Sequence, residues 1–223
     1  RSSDLHSEVY PETDYLQLDG ALNWTGAANG ARFNRLLGGG LQLLSGKIAQ
    51  GTLRGGAAYE YAAGRCLLRG GADVEARHYP LNNVLDGIAP AATLVARCEV
   101  PGYSLLQPGI LLRAERDYAR HERAGGDQRR TELLLTLRQP MASGWLDALG
   151  GYQWLKDQSG YSVLLENNSV RTTGKIQLRM DYTLPLDAGW LLVGTYSWAK
   201  QDSNLSLFRI NEQSVWLGMR RQW

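Results

Sequence analysis

Charged side chains in this sequence tend to fall at every second position. Arg69, Asp73, Glu75 and Arg77 share one parity, as do Arg54 with Glu60, Arg97 with Glu99, and Arg113 with Glu115. Lys175, Arg179 and Asp181 repeat the pattern, and Arg138 and Arg220 hold equivalent positions. An extended chain sends alternate side chains to opposite faces, so each set lies on one face of a strand. Charges of mixed sign on one face have two uses. They can form an ion-pair ladder that holds a narrow structure together. Alternatively the cations Arg97, Arg113, Arg138, Lys175 and Arg179 can guide or gate an anionic polymer.

Other chemistry is sparser. Cys66 and Cys98 are too few for a disulfide scaffold and have no zinc spacing. One lies near the start of a strand and the other near the end of the next, which brings them together in a hairpin. An oxidised pair and two unpaired thiols acting as small apolar residues both fit. His6, His78 and His121 are scattered outside any ligand spacing, so neither metal nor cofactor is expected. Gly38-Gly39-Gly40 lies inside a strand pattern rather than between a strand and a helix. It is therefore close strand packing or a bulge, not a phosphate loop. Asp86, His121, Glu122, Asp127 and Glu166 stand where a rim active site would be, without a catalytic pattern. The expectation is a protein that is not an enzyme.

The elements that carry these residues are strands. In Lys175–Leu184, Ile176, Leu178, Met180, Tyr182 and Leu184 alternate with Lys175, Gln177, Arg179, Asp181 and Thr183. The same period runs through Leu16–Trp24, Leu53–Tyr61, Leu68–Arg77, Thr93–Val100, Glu132–Arg138, Leu191–Trp198 and Val215–Trp223. Weaker strands cover Phe33–Leu43, Ile110–Tyr118 and Trp145–Trp154. That gives eleven clear strands, and an even count is reached with Leu5–Tyr10. Connections alternate in length. Short ones lie at Thr25–Gly30, Ala62–Gly64, Pro140–Gly144 and Pro185–Gly189; long ones at Pro80–Pro90, His121–Asp127, Asp157–Ser169 and Gln201–Gln213. Every segment follows one grammar, so residues 1–223 form one domain.

Composition decides which face meets what. Among 223 residues there are 26 Gly, 7 Trp and 11 Tyr against 2 Phe, and the net charge is +2, too small for a nucleic-acid binder. No run of about 18 apolar residues supplies a membrane helix. Glycine and amphipathic aromatics at a mean hydropathy of −0.32 fit a transmembrane β-barrel, whose strands hide from hydropathy windows. Tyr59, Tyr61, Tyr152, Trp154, Tyr196, Trp198 and Trp223 lie on the apolar face near strand ends, as an interfacial girdle would. Arg54, Arg69, Asp73, Glu75, Arg97, Glu99, Arg113, Glu115, Arg138, Lys175, Arg179 and Asp181 would then line the lumen. The fold class is all-β: a single antiparallel transmembrane barrel of about twelve strands. Long loops face outside and short turns the periplasm. The N-terminal Arg1-Ser2-Ser3-Asp4 lacks a leader pattern, so the chain reads as mature or as part of something longer.

Two segments carry a family resemblance. The stretch Asp202-Ser203-Asn204-Leu205-Ser206-Leu207-Phe208, followed by a closing strand to Trp223, resembles the last hairpin of the outer-membrane barrels that follow tetratricopeptide-repeat domains. Arg77–Gly87 resembles a loop of the same barrels. Surface lipoprotein assembly modifiers and exopolysaccharide exporters belong to this group. The resemblance implies a Gram-negative outer-membrane barrel that passes a secreted polymer or protein, guided by a periplasmic repeat domain. It also implies a closing strand read by the barrel-assembly machinery. The chain itself has no helical period of about 34 residues, and barrels of this group usually have more strands. The expected partners are outer-membrane lipid, the assembly machinery and such a repeat domain, with no nucleic acid, and the barrel is expected to be a monomer. The competing expectation is a closed structural or adhesive barrel that acts through its long loops.

Overall fold

The computed structural model describes residues 15–28, 31–100, 106–141, 143–164 and 166–221. They form one antiparallel sheet in which each strand pairs with its neighbours in sequence. The strands are β1 (Tyr15–Ala28), β2 (Ala31–Leu44), β3 (Lys47–Ala63), β4 (Cys66–His78), β5 (Gly87–Cys98) and β6 (Gln107–Ala119). They continue as β7 (Gln128–Met141), β8 (Gly144–Gly160), β9 (Val170–Pro185), β10 (Trp190–Ser203) and β11 (Ile210–Arg221). The fold is all-β, with eleven strands among the described residues. The further strand expected at Leu5–Tyr10 lies outside them, as do His6 and Trp223.

Every strand read from period two is present over the described residues, and these have the expected alternation; Gln222 and Trp223, at the end of the last expected strand, lie outside them. The boundaries differ at both ends: β1 runs to Ala28, β3 to Ala63 and β7 to Met141, into segments expected as short turns, and β5 stops at Cys98. β5 begins at Gly87, β8 runs to Gly160, β10 runs to Ser203 and β11 starts at Ile210, so ladders extend into segments expected as loops. Polar residues end the alternation before they end the backbone pairing. β2 and β3 are joined by Ser45-Gly46, where a long loop would keep the alternation of lengths. Both residues have positive φ (49° and 75°), as a two-residue hairpin turn requires, and Ser-Gly serves like Asn-Gly. Gly38-Gly39-Gly40 sits in regular pairing with β1 and β3, and the irregularity in β2 falls at Gln42/Leu43 instead. The Asp19 carboxylate occupies the place a Gly40 side chain would need, so the triplet is a close-packing site.

The direction of curvature follows from which side chains meet. Adjacent strands lie about 4.8 Å apart, so groups two strands apart start roughly 9.6 Å from each other. They can bond only where the sheet bends them together. Such contacts occur on the charged face. Arg113 of β6 reaches Asp73 of β4 at 3.0 Å, and Arg77 of β4 reaches Asp117 of β6 at 2.8 Å. Gln177 of β9 donates to Glu132 of β7 at 2.9 Å, and Lys175 of β9 approaches Glu212 of β11 at 3.4 Å. The intervening strand is small beneath each bridge: Ala89, Ala91 and Thr93 on β5, Gly151 on β8, Ala199 on β10. The charged face is therefore concave. The convex face is apolar and open, with Leu22, Leu94 and Leu135 each 61% exposed and Leu217 70% exposed.

The two glycines at the middle of β8 separate the faces. A side chain on Gly151 would run into the Leu133 carbonyl and Leu134, whereas Gly150 looks outward with its nearest neighbour, Leu178, at 3.7 Å. Gly151→Leu should therefore destabilise the sheet by about 1–3 kcal/mol. Gly150→Ala should stay within about 0.5 kcal/mol of wild type. Urea unfolding of both variants in detergent checks the contrast.

Candidate functional site: the concave face

Two tiers of charge occupy the concave face. The first is centred on Asp73. Arg54 donates through Nε to Asp73 Oδ2 at 3.0 Å, and Arg113 donates to both carboxylate oxygens at 3.0 and 3.3 Å. Arg113 also donates to Thr93 Oγ1 and to Glu115 Oε2, each at 3.2 Å. Arg130 adds an ion pair to Glu115 at 3.4 Å. Arg77 lies 3.7 Å from Glu75. Three cations thus share two inner carboxylates over a β5 floor in which Ala89 and Ala91 are buried. Bidentate, charge-assisted contacts of this kind fix geometry as well as charge.

The second tier lies nearer the short turns. Arg138 and Asp147 face each other across the β7–β8 hairpin at 2.7 and 2.9 Å. Arg179 and Asp181 pair along β9 at 2.8 and 3.0 Å, with Thr195 donating to Asp181 at 2.5 Å. Arg69 and Arg97 project from the same face, are exposed and form no ion pair among the described residues. Glu99 follows β5 at its short-turn end, where its N–H donates to the Arg65 carbonyl.

Eleven of the twelve residues expected on one polar face lie on strands and share it; Glu99 lies beyond the end of β5. Of the five cations singled out for an anionic cargo, Arg113, Arg138, Arg179 and Lys175 have carboxylate partners. Arg97 does not. Asp147, Glu132 and Glu212 were not anticipated as partners, because pairing needs the register across a hairpin and not only parity along a strand.

The long-loop end is held by strand carboxylates turned onto backbone and arginines. Asp117 takes Arg77 at 2.8 Å and Arg123 at 2.9 Å. Asp157, fully buried in its side chain, takes Arg171 at 2.9 Å. Arg171 lies over the rings of Tyr161 and Phe208, at 5.1 and 4.5 Å. Tyr161 meets Phe208 edge-on at 4.8 Å. Asn204 pairs with β9 by accepting from the Thr172 N–H and donating to the Val170 carbonyl, both at 2.8 Å. Leu205 beside it is fully buried. These contacts account for the Ser-Asn and apolar-aromatic pattern read in the sequence. Asp86 accepts the Tyr79 N–H at 2.7 Å and meets His78 Nδ1 at 2.7 Å. His121 adds a smaller electrostatic effect on Asp86, and Glu122 joins none of these clusters among the described residues.

Cys66 and Cys98 are directly opposed on the convex face near the short-turn end and are joined by a disulfide. Tyr59, Tyr61, Trp154, Tyr196 and Trp198 all point from that face. Trp24, Phe33 and Trp190 join Tyr59 and Tyr61 at its short-turn end. Tyr118 joins Trp154 and Trp198 toward the long loops. Tyr152 packs against Trp154 with ring centroids 4.4 Å apart. Among the described residues no group of acidic, histidine and cysteine side chains has the arrangement of a metal site.

Compared with known proteins, the chain matches no family model and no curated protein. Among solved structures, the alcaligin outer-membrane receptor FauA from Bordetella pertussis superimposes with a TM-score of 0.47 at 12% sequence identity. The match covers 94% of this chain and 39% of the receptor, so the chain spans less than half of that protein's length.

Two outcomes follow from this geometry. Asp73→Ala strands two arginines on a partly screened face and should cost about 1–3 kcal/mol. Arg138→Ala breaks a far more exposed pair and should cost less than about 1 kcal/mol. Denaturant midpoints in detergent distinguish them. In the loop, the Tyr79 N–H and then His78 hold the Asp86 carboxyl below its usual range, outweighing the opposing effect of burial. Its contribution to loop order should be complete above about pH 4 and disappear as pH falls through the lowered value. Hydrogen exchange at residues 79–86 should be unchanged from pH 7 to 5 and should accelerate, relative to the intrinsic rate, only below that point.

Proposed function

We propose that this chain is a bacterial outer-membrane β-barrel that serves as a translocation channel, exporting a secreted polymer such as an exopolysaccharide, or a protein. The observation that carries the membrane reading is the inverted polarity of the sheet. In water, a curled sheet would bury its apolar face and expose its charges. Here the charges converge and the leucines face out. Aromatic residues mark both margins of the apolar face. On β10, Trp190 and Trp198 are outward residues eight positions apart, which is about 27 Å of strand. At a tilt of about 40° that spans roughly 20 Å, close to the apolar band of such barrels. Four of the five connections at the end that would face outside have six to nine residues, and four of the five at the other end have two to four; the two-residue β2–β3 turn and the eight-residue β5–β6 connection are the exceptions.

The translocation reading rests on Arg69 and Arg97, cations on the concave face without carboxylate partners among the described residues. A negatively charged cargo crossing the interior would be drawn to them. The resemblance of Asp202–Phe208 to the last hairpin of repeat-guided export barrels favours the same cargo class. A periplasmic tetratricopeptide-repeat partner belongs to this reading, as does delivery by the barrel-assembly machinery through the C-terminal strand. A second reading has its own support. The Arg54–Asp73–Arg113 bridge fills the interior between β3 and β6, as it would in a closed barrel that acts through its loops.

Planar-bilayer conductance in a salt gradient tests the pair. An open channel should give steady steps with anion preference, and Arg69→Glu/Arg97→Glu should move the reversal potential toward cations. A silent bilayer with folded, inserted protein would favour the closed, loop-acting barrel.

A further inference from the structure

The convex face changes character on β6, β7 and β8 near the long loops. Toward the middle it presents Leu112, Leu133 and Tyr152. Nearer the loop end it presents Arg116, Arg129 and Lys156. The register sets these three side by side: Arg116 opposes Arg129, and Arg129 opposes Lys156. Directly opposed residues have Cβ atoms about 5 Å apart, so three cations share roughly 10 Å of surface, an arrangement that costs stability by itself. Arg116 is partly compensated by Asp127 at 3.4 Å and covers the Tyr118 ring at 4.7 Å. Arg129 and Lys156 are exposed and have no carboxylate partner among the described residues.

A shallow depression adjoins the row. Pro90, Ala92, Ala114 and Thr131 form its outward floor, with Arg116 and Arg129 at its edge. Its depth comes from the small side chains and from the β5–β6 ladder, which skips Ala89 and Pro90; proline has no N–H to give. A row of like charges thus stands directly above an apolar trough, on the side that faces lipid.

We propose that this patch binds a phosphorylated lipid of the outward leaflet, its phosphates across Arg129, Lys156 and Arg116 and an acyl chain along Ala92 and Ala114. Charge complementarity selects the phosphate. The apolar trough selects a lipid over a free anion, which would use only the cations. The inference rests on the membrane-barrel reading, since it needs this face in a bilayer with the long loops outward.

The test uses the full chain folded in detergent micelles and native mass spectrometry. The probes are a bisphosphorylated diglucosamine lipid, its dephosphorylated form and inorganic phosphate. Wild type should retain the bisphosphorylated lipid roughly tenfold better than the dephosphorylated one. Arg129→Glu/Lys156→Glu should lose that preference, and inorganic phosphate should not compete. Arg35→Glu, which alters an outward arginine on β2 far from the patch, should retain the lipid like wild type. Equal retention of the two lipids, an unaffected double variant that migrates as folded, or competition by inorganic phosphate would overturn the site and leave the barrel reading standing. A chain that stays in the aqueous phase when mixed with phospholipid vesicles would overturn the barrel reading and the site with it.

Discussion

The bridge from Arg113 to Asp73 sets the terms for the rest of the molecule. It spans a strand, so it exists only if β4 and β6 tilt their inner side chains toward each other over β5. That requires β5 to be thin on the same face, and Ala89, Ala91 and Thr93 make it so. The arrangement repeats around the sheet, with Gly151 under the Glu132–Gln177 bond and Ala199 beneath Lys175–Glu212. Long polar arms on alternate strands and small residues between them are one packing solution. Neither half works alone. Large residues on β5 would push the arms apart, and small residues without the arms would leave a void on the concave side. The charges on this face therefore bend the sheet at least as much as they could serve any cargo.

Charge is not distributed evenly along that face. Toward the long loops nearly every cation has a carboxylate, and Asp117 and Asp157 are buried with theirs. A buried carboxylate without a partner would carry a large desolvation cost, so Arg123 and Arg171 are obligatory company. They also pin the loops, because Arg123 comes from the β6–β7 connection and Arg171 stacks on rings from two others. Toward the short turns the pairing is uneven. Arg138 and Arg179 keep carboxylates there, in more exposed pairs, whereas Arg69 and Arg97 project without such company among the described residues.

Much of this was legible in the sequence because the period-two signal depends only on the chain itself. Each strand read from Ile176–Leu184 or Leu68–Arg77 is present with the expected face, since one slipped residue would exchange charge for leucine along the whole strand. The cysteine pair was legible as proximity, and its bonding was not, because thiols and disulfides occupy nearly the same small outward positions. Partners were illegible. Arg138 meets Asp147 only because the hairpin places them opposite, and Arg113 meets Asp73 from forty residues away. The Ser45-Gly46 turn was missed because the alternation of β2 fades before it, through Gln42 and the irregularity at Leu43. The strand ends were misjudged for a similar reason. Backbone pairing continues through Asp157 and Asp202, inside segments whose polar side chains read as loop.

The odd number of described strands has a geometric consequence. In a meander, strands of like parity run the same way, so β1 and β11 point in one direction. Closing the sheet by joining them directly would create a parallel pair in an otherwise antiparallel ring. One more strand between them would make both new contacts antiparallel. On the membrane reading proposed above, the edges cannot stay open, because each unpaired N–H and C=O in hydrocarbon costs several kcal/mol. β11 is also the strand whose side chains are most open, Val215 at 81% and Leu217 at 70%. Val215, Leu217 and Met219 face outward as the leucines of the paired strands do, while Asn211 and Gln213 share that parity near the long loops and Glu212 and Arg220 lie on the polar face. The middle of β11 is thus as apolar as a paired strand, and its charges stand only at its two ends.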